Sequence, residues 1–322
     1  MPSQPRPLAP ETLSNLRLAT GDDVAAGFTA VASSFRHVLG GTGFWRGNKA
    51  LLKLNQKDGY DCPSCAWPDP DGHRSPVAEY CESGAKAVAD EVVTKHTASP
   101  VLFQRYSVAE LAEKSDLWLG QQGRLTHPMV LREGATHYEK ISWDEAFRLV
   151  GKHLNALRSP DEAIFYTSGR ASNEAAFLYQ LFVRAYGTNN LPDCSNMCHE
   201  SSSVALTETI GLGKASVKLD DFAQAEVIVI LGQNPGTNAP RMMTALEEAK
   251  RNGANIIAIN PLMETGLMAF RNPQDVRDVL TPGGTKLADL YLQVRINADM
   301  QLLKALLKLL LEAEAERPGE VI

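Results

Sequence analysis

The chain has 322 residues, 44% of them hydrophobic, and a formal net charge of -6. That length buries a substantial core and has room for two domains, so stability does not depend on disulfide staples. The acidic balance argues against a nucleic-acid reader, which usually carries a basic face.

The five cysteines, Cys62, Cys65, Cys81, Cys194 and Cys198, are few, odd in number and unevenly placed. That pattern speaks against a secreted disulfide framework and for a reducing compartment in which thiols are free to hold metal. No apolar run approaches the span of a bilayer, and the start "MPSQPRPLAPETLS" lacks a charged-then-apolar signal region. The expectation is a cytoplasmic protein with no membrane span.

In chain order, residues 1–45 are rich in Pro, Ala, Ser and Gly and read as an extended or disordered entry. Residues 46–130 form the cysteine-containing region. Its stretch from Gly59 to about Glu91 has little periodicity, so an external constraint must replace a local core. "CESGAKAVADEVV" and "SVAELAEKS" read as helices, and "GRLTHPMVLREGATHYEKISWDEAFRLVGKHLNAL" as a hairpin-like turn before an amphipathic helix. Residues 131–322 are expected to be a Rossmann-like α/β domain. Here "EAIFYTS", "EVIVILG", "ANIIAIN" and "DLYLQV" read as strands. They alternate with the helices "NEAAFLYQLFVRAYG", "SSSVALTETIG", "APRMMTALEEAKRNG" and "DMQLLKALLKLLLEAEAE". Continuous apolar strands between helices imply a doubly wound, mostly parallel sheet.

Three places carry chemistry. "DCPSCAW" sets Cys62 and Cys65 in a C-x-x-C knuckle, followed by Cys81 in "YCESG". A structural zinc knuckle with His73 as fourth ligand and an iron–sulfur cluster both suit such thiolates. "GQNPGTNAP" follows the strand "EVIVILG" and leads into a helix, at the place where nucleotide-like ligands sit in a doubly wound sheet. Asn260, ending the next strand, either reaches a ribose hydroxyl or caps a turn. In "PDCSNMCHESSS", Cys198 and His199 open a helix, and the pair reads as packing, as a cysteine nucleophile or as a soft-metal ligand.

Taken in order, "GRLTHPM", "ISWDEAF", "SGRASNE", "GTNNLPDCSNMCH", "GQNPGTNAPRM", "AKRNGANIIAINP" and "ADLYLQVRINAD" resemble the molybdopterin-dependent oxidoreductases of the formate dehydrogenase type. These belong to the superfamily that binds two molybdopterin guanine dinucleotides. The resemblance runs from Gly59 onward and is closest to formate-dehydrogenase-like alpha subunits. It implies a small iron–sulfur-type domain ahead of the α/β domain. It places Cys198 as the thiolate ligand to molybdenum and His199 as the group handling the substrate proton. Gly232, Asn234, Pro235, Asn260 and Asp299 fall on positions resembling those that hold the guanine dinucleotide arms, and Gly169 and Arg170 line the same cleft. Cys62, Cys65 and Cys81 match the first, second and fourth ligands of a [4Fe-4S] cluster.

Asp69 occupies the third cluster position, and Ser83 stands where the family has a lysine between cluster and pterin. The family's catalytic subunits are longer, so the resemblance also implies that the second half of the nucleotide-binding region, with the arginine that orients formate, is missing. The implied activity is two-electron oxidation of a small molecule, formate first among them, with electrons leaving through the cluster to an acceptor protein. The alternative is a non-catalytic zinc-knuckle or degenerate pterin-binding regulatory protein.

Overall fold

The computed structural model describes residues 22–321, apart from 66, 73, 77, 170, 193, 276, 277 and 279–282, and describes Cys194 and Ser195 through their backbone alone. Arg170 and His73, named above, lie outside the described residues. The described chain divides into two compact units: 90–217, and 22–89 together with 218–321.

The second of these begins with helix α1 (Gly27–Thr42), where composition pointed to extended chain. Its small residues explain the difference. Val38 and Thr42, four apart on one face, are fully buried, and the next helix, α2 (Phe44–Leu51), packs against them through Gly47. A Cβ at Gly47 would collide with both Thr42 and Val38. A short helix α3 (Glu82–Ala87) packs on α1, with Cys81 as its N-cap.

In the unit 90–217, local signals set the elements. Ser107 and Glu110 form a reciprocal capping box at Val108–Ala112. Met129–Val130 pairs antiparallel with Glu139–Lys140, giving the expected hairpin. Helix α4 (Trp143–Asn155) starts at Ser142, whose hydroxyl accepts from the Glu145 amide, and carries Asp144 and Glu145 in its first turn, where the helix dipole favours acids. Helix α5 (Asn173–Tyr186) is capped by Ser172 and closed by Gly187 at φ +108°. It buries Val183 against Ala163 and Phe165.

"EAIFYTS" alternates as a strand does, with Ala163 and Phe165 buried and Ile164 and Tyr166 exposed. It is nonetheless tied down by Asn190, through one backbone bond and its side chain, and forms no named strand. The Phe165 amide donates to Asn190 O, and Asn190 Nδ2 donates to the carbonyls of Asp161 and Ala163. Asp161 also accepts from Thr188 Oγ1 at 2.6 Å. The backbone groups that a neighbouring strand would satisfy are met by the loop after α5. The unit continues with helices α6 (Cys194–Cys198) and α7 (Glu200–Ile210).

The unit formed by 22–89 and 218–321 holds the main sheet. Strands β1 (Val227–Leu231), β2 (Asn255–Asn260) and β3 (Leu290–Gln293) run parallel in that order, with Leu231 paired to Ile259 and Asn260 to Gln293. Between β1 and β2 come the single turn α8 (Pro235–Asn238) and helix α9 (Met242–Arg251); α10 (Thr265–Met268) follows β2, and α11 (Asp299–Glu316) follows β3. The core gathers Ile230, Met243, Leu246, Ile256, Ala258, Leu267, Phe270 and Leu287. This is a mixed α/β fold with small parallel sheets. Among the described residues the strand order does not reverse, and Val227 and Val229 stand on an exposed face where a doubly wound sheet would have a second helical layer. Among the described residues, no helix is long and apolar enough to cross a membrane.

Candidate functional site

The cysteine segment is built around Asn55, a buried residue at φ +56°. Its Oδ1 accepts from the Cys62 amide at 2.8 Å, and its Nδ2 donates to Glu79 O at 2.7 Å, so one side chain ties the two ends of the segment together. Cys62 Sγ accepts from the Ser64 amide and Cys81 Sγ from the Gly84 amide, both at 3.4 Å. A Cβ at Gly84 would lie 3.0 Å from Cys62 Sγ and 3.9 Å from Cys81 Sγ, so the glycine makes room for both sulfurs. Burial pushes both thiols above their ordinary value, and the neighbouring cysteines, Cys65 included, add to the rise in each. Two buried thiols that resist ionising, Cys62 and Cys81, are groups that a cationic centre would relieve. Among the described residues, no three His, Cys, Asp or Glu side chains converge tightly enough to hold a single metal ion.

Asp69 is already engaged. Its Oδ1 accepts from Arg241 Nη1 at 2.7 Å, and its Oδ2 lies 3.5 Å from Arg74 Nη1. Arg241 also bonds Glu79 at 2.5 Å. Burial pulls the Arg241 guanidinium down, but Asp69 and Glu79 outweigh it and hold it above its ordinary value. Beside this network lies a cavity of about 740 Å³, lined by Trp67, Tyr80, Cys81, Ser83, Phe222 and Arg241 among others.

At the carboxyl ends of the strands, Gly232 turns at φ +65°, with open space where a Cβ would stand. Its amide donates to Ile259 O, which fastens the turn to β2. Asn234 caps α8, which opens with Pro235, and donates through Nδ2 to Glu264 at 2.7 Å. Asn260, also buried, donates to Glu264 and to Leu262 O, both at 3.2 Å. The Tyr291 hydroxyl donates to Leu262 O and accepts from the Glu264 amide. Glu264 thus clamps both asparagines, and α8 and α10 meet where Gly236 and Gly266 touch. Asp299 stands in the first turn of α11.

In the unit 90–217, α6 ends at Cys198 and α7 begins beyond His199, so the pair occupies a break between two helices. The expectation that Cys198 opens a helix is thus shifted by one residue: His199 is the N-cap, with no side-chain capping bond. Both residues are exposed, and the sulfur is not walled into hydrocarbon. Gly169 lies in an exposed turn of the same unit.

The structure therefore brings Cys62, Cys65 and Cys81 into one neighbourhood, and joins Asn234 and Asn260 through Glu264 beside the Gly232 turn and Pro235. Sequence reasoning missed Glu264, Tyr291 and the clamping role of Arg241. Arg241 lay inside the quoted motif "GQNPGTNAPRM", but nothing local says that it reaches back to residues 69 and 79.

A family model described as molybdopterin oxidoreductase matches residues 124–312. The chain is 57% identical over 298 residues to an uncharacterized oxidoreductase of Mycobacterium tuberculosis, covering 92% of this chain and 38% of that protein. It is 47% identical over 265 residues to protein YdeP of Escherichia coli, covering 82% and 34%. The F420-dependent formate dehydrogenase 2 subunit alpha of Methanococcus maripaludis is 30% identical over 192 residues, covering 59% and 25%. The chain thus spans well under half the length of the curated relatives it matches. It belongs to the molybdopterin oxidoreductase family.

Proposed function

We propose that this chain forms part of a cytoplasmic, formate-dehydrogenase-like oxidoreductase that removes two electrons from a small substrate, formate being the first candidate. When bound, a molybdenum bis(molybdopterin guanine dinucleotide) would supply the two-electron redox chemistry. Cys198 is the soft ligand that would hold the metal, and His199 beside it would take the substrate proton. Asn234, Asn260 and the Gly232 turn, with Asp299, would hold a dinucleotide arm. Cys62, Cys65 and Cys81 would hold an iron–sulfur cluster that hands electrons to an acceptor protein.

The observation carrying this reading is the exposed Cys198–His199 pair at a helix break inside the stretch matched by the family model. The test is metal analysis of anaerobically purified protein together with a Cys198→Ser variant. Molybdenum should be present, and formate-dependent dye reduction should vanish in the variant. Intact protein without molybdenum would refute the reading. The engagement of Asp69 by two arginines favours one rival, a non-catalytic zinc-knuckle or degenerate pterin-binding regulatory protein. A brown absorption bleached by dithionite excludes that rival.

A further inference from the structure

Resting on the cluster reading above, we propose that Asp69 is a strut and not an iron ligand, so that the cluster is held by three protein sulfurs and has one iron open to exchange.

The case starts from where the carboxylate already is. Both Asp69 oxygens face guanidinium groups, Arg241 at 2.7 Å and Arg74 at 3.5 Å. Arg241 is shared with Glu79, whose other oxygen accepts from the Ser75 amide at 2.7 Å. Arg74 donates to Asn55 O at 2.7 Å and to Pro70 O at 3.0 Å. Two arginines and two carboxylates form a neutral set whose side chains are 12–19% exposed. Moving Asp69 onto iron would leave that set with an excess positive charge in a poorly hydrated place, which is costly. It would also release the bond that fastens residue 69 to α9.

The cysteines point the same way. Cys62, Cys65 and Cys81 are the cysteines of this unit.

The test uses the whole chain, reconstituted anaerobically with ferrous iron and sulfide and then titrated with ferricyanide. A four-iron cluster with an exchangeable corner gives one electron to ferricyanide, releases that iron as Fe(II) and leaves an oxidised three-iron cluster. The expected result is loss of a quarter of the bound iron with a paramagnetic three-iron signal, reversed by Fe(II) and dithionite. Asp69→Asn and His73→Ala should bind the same iron and give the same signal, while Asp69→Asn melts at a lower temperature. Full retention of iron under ferricyanide, or an altered signal in either variant, would overturn the inference while leaving the cluster intact. Protein that takes up zinc and never turns brown would instead overturn the cluster reading, and the inference with it.

Discussion

Replacing Arg241 by Met tests the network on which the cysteine segment depends. The substitution keeps bulk and stem but removes the charge that Asp69 and Glu79 share at 2.7 and 2.5 Å. Breaking a buried ion pair from one side costs roughly 3–5 kcal/mol, whereas an exposed pair is worth about 0–1 kcal/mol. The side chains here are 12%, 18% and 14% exposed, so some hydration remains and the lower end, about 3 kcal/mol, applies. With a urea dependence of about 2 kcal/mol/M, that moves the unfolding midpoint of the apoprotein down by roughly 1.5 M. Trp67, packed edge-on against Phe222 at 5.6 Å, reports on this unit by fluorescence. Arg241→Lys should fall between, because one ammonium cannot match the two-pronged geometry. A midpoint shift in Arg241→Met no larger than about 0.3 M would place the network among surface pairs and refute the reasoning.

Four further expectations follow from the structure. Gly266→Ala puts a Cβ 3.2 Å from the Gly236 Cα, a backbone atom that cannot swing aside, and should cost about 1–3 kcal/mol, read as a lowered melting temperature. Gly151→Ala, in the middle of α4 with open space at its Cβ, should stabilise by roughly 0.5–1 kcal/mol, and a lowered melting temperature would contradict it. Because folding raises the Cys62 and Cys81 thiols, the folded apoprotein keeps protons that the unfolded chain loses. Apoprotein stability is therefore intact below the ordinary thiol value and falls as pH rises through the elevated one. Metal uptake must displace the same protons, so its affinity should rise across that window, measured by metal titration at a series of pH values.

The strands β1, β2 and β3 and the helix ends at Gly187 and Gly253 were legible because each follows from local pattern: apolar runs, capping residues and glycines at positive φ. Helix α1 was not, since its stability comes from packing small residues against α2 and α3 and not from a strong apolar stripe. "EAIFYTS" carried a true alternation, yet pattern reports which side chains are buried and not which groups satisfy the backbone, here Asn190. The same limit applies to the site. Cys62, Cys65 and Cys81 announce themselves by type and spacing. Glu264 does not, because a carboxylate in "NPLMETG" gains its role only when β2 and the Gly232 turn bring two asparagines to it.

Long-range pairing also explains why the cysteine segment needs residues from far along the chain. Among the described residues between Gly59 and Cys81 there is no helix and hardly any strand, so they have little cooperative structure of their own. What fixes it are Asn55 on one side and Arg241 on the other. Arg241 is held because it opens α9, whose Met243, Leu246 and Ala249 are fully buried under the sheet. The stretch that contains Gly232 and Asn234 at the strand ends therefore also carries the residue that braces the sulfurs. A packed core thereby sets both the Gly232 turn and the position of the cysteines from one strand-to-helix connection, which is how a segment with little regular structure of its own can be held in a defined place.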